Sequence, residues 1–211
     1  MSKIYLILAA IISIMPFNLI RIILYRFFFR YDIRSSKIGF GTIIAIDNLS
    51  ITHVSIGNFN LFTGPFSFSA KSGCVIGGGN IFRCGKWASA AQFSNRHFGR
   101  ALQLDENITI TNKHYFDTVG TTKIGKNSWI AGYGSQFWTH GGDKVDIDIT
   151  IGQNCYLASS VRFAPGVSIA DDTIVGIGSV VTKKFIESKT LIAGNPAIVK
   201  KINYSWQNDL R

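Results

Sequence analysis

Four histidines stand at positions 53, 97, 114 and 140 of this 211-residue chain, and the last is placed for chemistry. Trp138-Thr139-His140 ends an ordered run. A polar stretch opened by two glycines follows, Gly141-Gly142-Asp143-Lys144-Val145-Asp146-Ile147-Asp148, before apolar order resumes at Ile151. A histidine at the root of a protruding arm is placed to face a cleft. An imidazole whose pKa lies near ambient can take a proton from one group and return it to another. On the arm, Asp143 and Asp146 either orient that ring, hold a substrate, or are solvated surface. His53, in Ile51-Thr52-His53-Val54, has no partner signal and reads as structural. His97 sits between two arginines in Arg96-His97-Phe98-Gly99-Arg100, where it greets an anionic substrate or belongs to a solvated loop. The spacing of the four offers no close pair, and Cys74, Cys84 and Cys155 lack a Cys-x-x-Cys arrangement. No metal site is therefore expected, and the thiols read as reduced.

The elements that must hold these residues follow from an internal repeat. Stepping by six from Ile151 gives Ile151, Leu157, Phe163, Ile169, Val175 and Val181, each followed by a small residue. A helix repeats apolar residues at three and four, and a strand at two. A period of six belongs to a β-solenoid, in which each unit is one short strand and a turn and three units close a triangular coil. The same phase runs earlier as Ile38, Ile44, Ser50, Ile56, Phe62, Phe68 and Cys74, with Ser50 the one polar lapse. It is lost after Cys74, so Ser94 to Arg100 is a candidate excursion from the coil, and such loops often carry function. It returns at Ile124 and Ile130, with a third unit starting at Gln136. Fifteen residues separate Gln136 from Ile151, which is not a multiple of six, so the chain must leave the coil after His140. A coil of roughly 18 residues also brings Asn112 or Asp117 toward the same cleft. His114 beside them contributes or is a surface residue. Cys155, at a small inward position, reads as a buried thiol rather than an acyl acceptor.

Val175-Gly176-Ile177-Gly178-Ser179-Val180-Val181-Thr182-Lys183 and Ala193-Gly194-Asn195-Pro196-Ala197 carry a family resemblance. They are similar to the penultimate coil and the closing turn of the hexapeptide-repeat acyltransferases, in the expected order and spacing, with the likeness weaker in the first half of residues 38–200. The resemblance, to the sugar O-acetyltransferase branch, implies an all-β, left-handed parallel β-helix assembled as a homotrimer. It implies acetyl-CoA as co-substrate, and it places the catalytic base on His140, since a Thr, a His, a loop and re-entry at Ile-Gly is the family pattern. It implies that Asn112 and Asp117 hold acceptor hydroxyls, with Asp143 a further candidate. It points to Ala158, Ser160, Ala164, Gly176 and Gly178 as small residues along the pantetheine arm, and to Lys183, Lys184 and Lys200 near the nucleotide phosphates. The plainer alternatives are tight solenoid turns and solvated lysines.

Composition bounds the rest. Apolar residues make up 46% and charged residues 16%, which excludes disorder, and 21 glycines suit a fold made of turns. The net charge of +10 admits nucleic acid, an anionic membrane or phosphorylated small molecules, and the absence of a dense basic run or a nucleic-acid module favours the last two. Ile4 to Phe29 is almost wholly apolar, with only Arg21 and Arg26 charged, and Ile4 to Ile20 is at the short edge of what spans a bilayer. A signal peptide is disfavoured by the lack of an Ala-x-Ala site. Three readings remain: a spanning helix, an interfacial helix bent at Pro16, and a helix packed on the solenoid, with the basic flank on the cytoplasmic side in the first two.

The expectation is thus a membrane-associating hydrophobic helix over residues 1–37, a β-helix acyltransferase domain over 38–200 and a tail over 201–211. The enzyme would O-acetylate a surface-polysaccharide or lipid-linked sugar at the cytoplasmic face of the inner membrane. The alternatives are N-acetylation of an amino sugar nucleotide and a catalytically inactive membrane-anchored scaffold.

Overall fold

The computed structural model describes residues 3–93, 95–96, 98–141 and 147–204. The chain winds into a three-sided parallel β-helix closed at one end by two helices. One face is a sheet in which Lys37–Ile38, Ser55–Ile56, Val75–Ile76, Thr109–Asn112, Trp129–Tyr133, Tyr156–Leu157, Ile174–Val175 and Leu191–Gly194 stack in order. The other two faces form one 12-stranded sheet, because Ile43–Thr52 and Leu61–Ala70 run continuously around a corner.

Where the repeat is regular, parallel stacking puts like over like. The second face carries the largest inward side chains, Phe62, Phe82, Phe116, Phe137 and Phe163, all fully buried. Their rings stack along the axis at centroid distances of 4.3, 5.0, 4.3 and 5.1 Å. Each buries roughly 2–3 kcal/mol of apolar surface, and stacking adds about 1 kcal/mol per pair. One corner is a ladder of Asn107, Asn127, Asn154 and Asp172, all in the left-handed region. Their side chains are linked in series by 3.2 Å hydrogen bonds, as suits residues that tolerate that conformation.

The structure corrects the phase in three places. Ser50 is not a lapse in the core: the register shifts between Ile46 and Asn48, so Leu49 and Ile51 face inward and Ser50 outward. Cys74 is not the next strand residue, because twenty residues separate Ile56 from its partner Ile76. A shift between Ile130 and Tyr133 likewise makes Phe137, rather than Gln136, the inward residue. Gly64 shows why one long strand can turn: its φ is 112°, and a Cβ there would overlap the Cys84 carbonyl.

The single N-terminal helix expected from sequence is two, α1 (Lys3–Ser13) and α2 (Asn18–Phe29), with Pro16 between them. They pack on the first coil. Tyr25 donates to the carbonyl oxygens of Ala9 or Thr42 and accepts from Ile44 N. Arg21 is buried and donates to the carbonyls of Ile38 and Met15. No described helix is long and apolar enough to cross a membrane. The first rung is already in place at Asp32–Arg34, which pairs with Ser50–Thr52. At the other end the Asn195-Pro196 turn folds Ala197–Lys201 back antiparallel onto Leu191–Gly194. Tyr204 donates its backbone N–H to the Lys189 carbonyl, and Trp206 lies outside the described residues.

Candidate active site

His140 follows the short strand Gln136–Phe137, which stacks on Tyr115–Asp117 with Tyr115 opposite Gln136 and Phe116 opposite Phe137. The Phe116–Phe137 pair fixes that register, and the next residues, Asp117 and Trp138 to His140, meet at the corner. The Asp117 carboxylate accepts from the Thr139 backbone N–H at 2.9 Å, the Thr139 hydroxyl at 2.7 Å and His140 Nδ1 at 2.7 Å, all through Oδ2. The Thr139 hydroxyl in turn accepts from Gly120 N. Asp117 is 3% exposed at its side chain and His140 41%. A carboxylate only accepts, so Nδ1 carries the hydrogen and Nε2 presents its lone pair. A fixed tautomer, one solvent-accessible ring and a buried carboxylate to stabilise the imidazolium make a proton acceptor.

The coil breaks where the spacing put the break. The chain leaves the second face at His140 and is back in the coil at Ile149–Ile151, with Asp148 Oδ1 accepting from Thr121 N at 2.7 Å. Asp143 and Asp146 lie outside the described residues.

A second excursion reaches the same ring. Thirty-four residues separate Ile76 from its partner Ile110, and the extra chain runs from Cys84 to Arg100. Its first turn, Lys86–Ser89, lays the Trp87 ring edge-on against His140, centroids 5.3 Å apart. Phe93 and Phe98 support Trp87 from 5.4 and 5.7 Å, and a Cβ at Gly85 would strike the indole. Sequence reasoning singled out the later half of this excursion and missed Trp87. The signal was an aromatic residue two positions after a glycine at the break in phase. His97, within that half, is outside the described residues.

Other candidates fall elsewhere. Asp117, read as an acceptor ligand, has its carboxylate buried and committed to Thr139 and His140. Asn112 is at the opposite corner of the second face, where its Oδ1 accepts from Gly78 N at 2.6 Å. His114 is 1% exposed and belongs to an internal ladder: Asn60 accepts from Asn80 N, Asn80 from His114 N, and His114 Nδ1 from Ser135 N. Burial lowers its pKa to about 4, so it is neutral and structural. Burial also pushes the Cys155 and Cys84 thiols up to about 12, and Cys74 is raised for the same reason. No group of three metal-ligating side chains occurs among the described residues.

The residues expected along the donor divide between two corners. Ala164 and Lys183–Lys184 follow the strands stacked directly beyond His140, where Trp138 N donates to Phe163 O and Ala164 N to Val181 O. Ala158, Ser160, Gly176 and Gly178 lie at the preceding corner, where Ser160 N donates to Tyr133 O and Gly178 N to Ser159 O. Ser160 and Gly178 there have φ of 60° and 69°. Lys200 is exposed on the final antiparallel strand.

No protein-family model matches the chain. It is 32% identical over 114 residues to the galactoside O-acetyltransferase of Escherichia coli K12, a match covering 52% of this chain and 56% of that protein. The chain therefore spans about half the length of that relative. Its fold is similar to the crystal structure of the polysialic acid O-acetyltransferase OatWY, with a TM-score of 0.52 and 21% identity over 82% of this chain and 90% of that one. The likeness of fold bears out the left-handed β-helix. The sequence relative bears out the resemblance to the sugar O-acetyltransferase branch of the hexapeptide-repeat acyltransferases.

Proposed function

We propose that the chain is an acetyl-CoA-dependent O-acetyltransferase acting on a hydroxyl of a surface-polysaccharide or lipid-linked sugar, with His140 as general base. The observation that carries this reading is the exposed imidazole held through Nδ1 by buried Asp117 at a break in the β-helix. A sugar hydroxyl is a poor nucleophile at neutral pH. His140 Nε2 takes its proton as the oxygen attacks the thioester carbonyl, and Asp117 stabilises the resulting imidazolium. Collapse of the tetrahedral intermediate expels the thiolate, which takes the proton back from His140. The products are the sugar ester and free coenzyme A. Much of the remaining acceleration comes from holding donor and acceptor together. Trp87, edge-on to His140, supplies an apolar wall against which the apolar face of a sugar ring packs.

The division of the donor residues favours assembly. Ala164, Lys183 and Lys184 flank His140 on one corner, while Ala158, Ser160, Gly176 and Gly178 sit at another, so a donor groove that uses both sets lies between two copies. A homotrimer, the family's usual assembly, provides three such grooves. Acetyl-CoA is cytosolic, so the reaction belongs at the cytoplasmic face of the inner membrane.

The test is transfer from radiolabelled acetyl-CoA into the producing cell's lipid-linked glycan by native protein and by His140→Ala. The expected label is an alkali-labile ester, lowered roughly 10²–10⁴-fold by the substitution. Alkali-stable label would point to N-acetylation of an amino sugar. Absence of donor binding would leave an inactive scaffold and overturn the assignment of His140.

A further inference from the structure

The helical hairpin that closes the solenoid hides little of its own apolar surface. Ala9, Ile12, Arg21 and Tyr25 face the first coil, while Ile4, Ile7, Phe17, Leu19, Ile23 and Phe27 are between 53% and 75% exposed. Isolated exposed apolar residues need no explanation, but a continuous face of them marks a docking surface. The face spans both helices and their connection, and Tyr5 against Phe29 shows that the start of α1 meets the end of α2. Its charge is predominantly positive. Lys3, Arg26, Arg30 and Lys37 are exposed, Arg34 is exposed but paired with Asp32 at 2.8 Å, and no acidic residue precedes Asp32 in the sequence.

Length excludes crossing. The helices have 11 and 12 residues, about 17 and 18 Å at 1.5 Å per residue, against a hydrocarbon core of about 30 Å. The hairpin is also stapled to the coil. Ser13 O accepts from Gly41 N, Asn18 Oδ1 from Ile38 N, and the buried Arg21 guanidinium binds the Ile38 carbonyl through two nitrogens. Withdrawing it to span would strip these partners from the first rung.

We propose that this hairpin is an in-plane membrane foot, its outer face embedded in the interface of an anionic bilayer and its basic rim on the headgroups. Charge selects this occupant over a second copy of the chain. Two such faces meeting end to end would oppose Lys3, Arg26, Arg30 and Lys37 with the same four cations of a second copy, whereas anionic lipid complements them. The inference is independent of the proposed chemistry, because it concerns surface at the end of the solenoid that shares no residue with the His140 site.

The experiment is sedimentation of the full chain with vesicles of phosphatidylcholine alone and of phosphatidylcholine mixed with phosphatidylglycerol. The expected result is binding that favours the anionic vesicles and weakens with salt. Ile7→Ser, Leu19→Ser and Phe27→Ser together should reduce partitioning by roughly tenfold per side chain. Arg26→Gln with Arg30→Gln should cost roughly fivefold each on anionic vesicles only. Circular dichroism checks that each variant keeps its fold. Absence of vesicle binding overturns the proposal. So does a triple variant that binds as well as native protein, or one that changes the assembly's mass by light scattering, which would make the face a junction between copies. Vesicle binding is read without any acyl transfer, so failure of the enzymatic reading leaves it standing, and the reverse.

Discussion

At the scale of single residues, the site turns on one oxygen atom. Asp117 Oδ2 accepts from Thr139 N, Thr139 Oγ1 and His140 Nδ1, so two bonds to Thr139 aim the carboxylate and the third fixes the ring. An amide in its place would keep the shape and change the chemistry. In Asp117→Asn the Thr139 backbone N–H holds the amide oxygen at the Oδ2 position, so Nδ1 keeps its partner while a protonated ring loses the negative charge that would stabilise it. The expected outcome is a fall in kcat of roughly 10²–10⁴-fold with KM little changed. Adding the substitution to His140→Ala should cost little more, since the pair acts as a unit. Steady-state kinetics on the single and double variants check this, and a change confined to KM would mean that Asp117 acts on the acceptor instead.

At the scale of elements, the coil is held by ladders that the sequence shows only in part. His114 stands where the rungs below it carry Asn60 and Asn80, and it replaces the amide oxygen with Nδ1. Its pKa of about 4 has a consequence for stability. An unfolded histidine titrates near 6.5, so between about 6.5 and 4 the unfolded chain binds a proton that the folded chain refuses. The stability this residue contributes is present above pH 6.5 and is lost as pH falls toward 4, by roughly 2–3 kcal/mol at pH 4.5. His114→Asn should fold and lack that part of the pH dependence. Denaturant midpoints at pH 7 and 4.5 for the two proteins measure the difference.

At the scale of the whole molecule, His140 and the Trp87 turn meet at one corner. The hairpin closes one end, and the proposed donor residues occupy two edges. His140 lies at the rung of Phe137, four rungs beyond Ile44, or roughly 19 Å along the axis at the usual strand spacing. The proposed membrane foot, with the proposed reacting centre at that height, would suit a glycan that stands off its lipid. If the donor groove is shared, His140→Ala and Ser160→Trp should each be inactive for different reasons, the first lacking the base and the second blocking the small-residue corner. Trimers assembled from equal amounts of the two should recover activity at about a quarter of their sites, those pairing an intact base with an intact corner. Recovery is read by acetyl transfer after co-expression, and none would place both halves of the site in one copy.

The sequence by itself determined the architecture and the position of the proposed base. A period of six over Ile151 to Val181 has one structural meaning, and the broken count between Gln136 and Ile151 put His140 at the root of an arm. Both are local properties that a single chain carries openly. The structure alone decided the partners. Asp117 lies twenty-three residues from His140, and Trp87 lies farther still. Their meeting depends on coils of unequal length, with twenty residues from Ile56 to Ile76 and thirty-four from there to Ile110. Such insertions shift the phase, and only the packed rungs show which residues then come to lie side by side. The apolar N-terminus was legible as apolar. Its division into two helices, with Arg21 and Tyr25 turned inward onto backbone carbonyls, was decided by the unpaired end of the first coil, whose polar groups a hairpin can cover and a straight helix cannot.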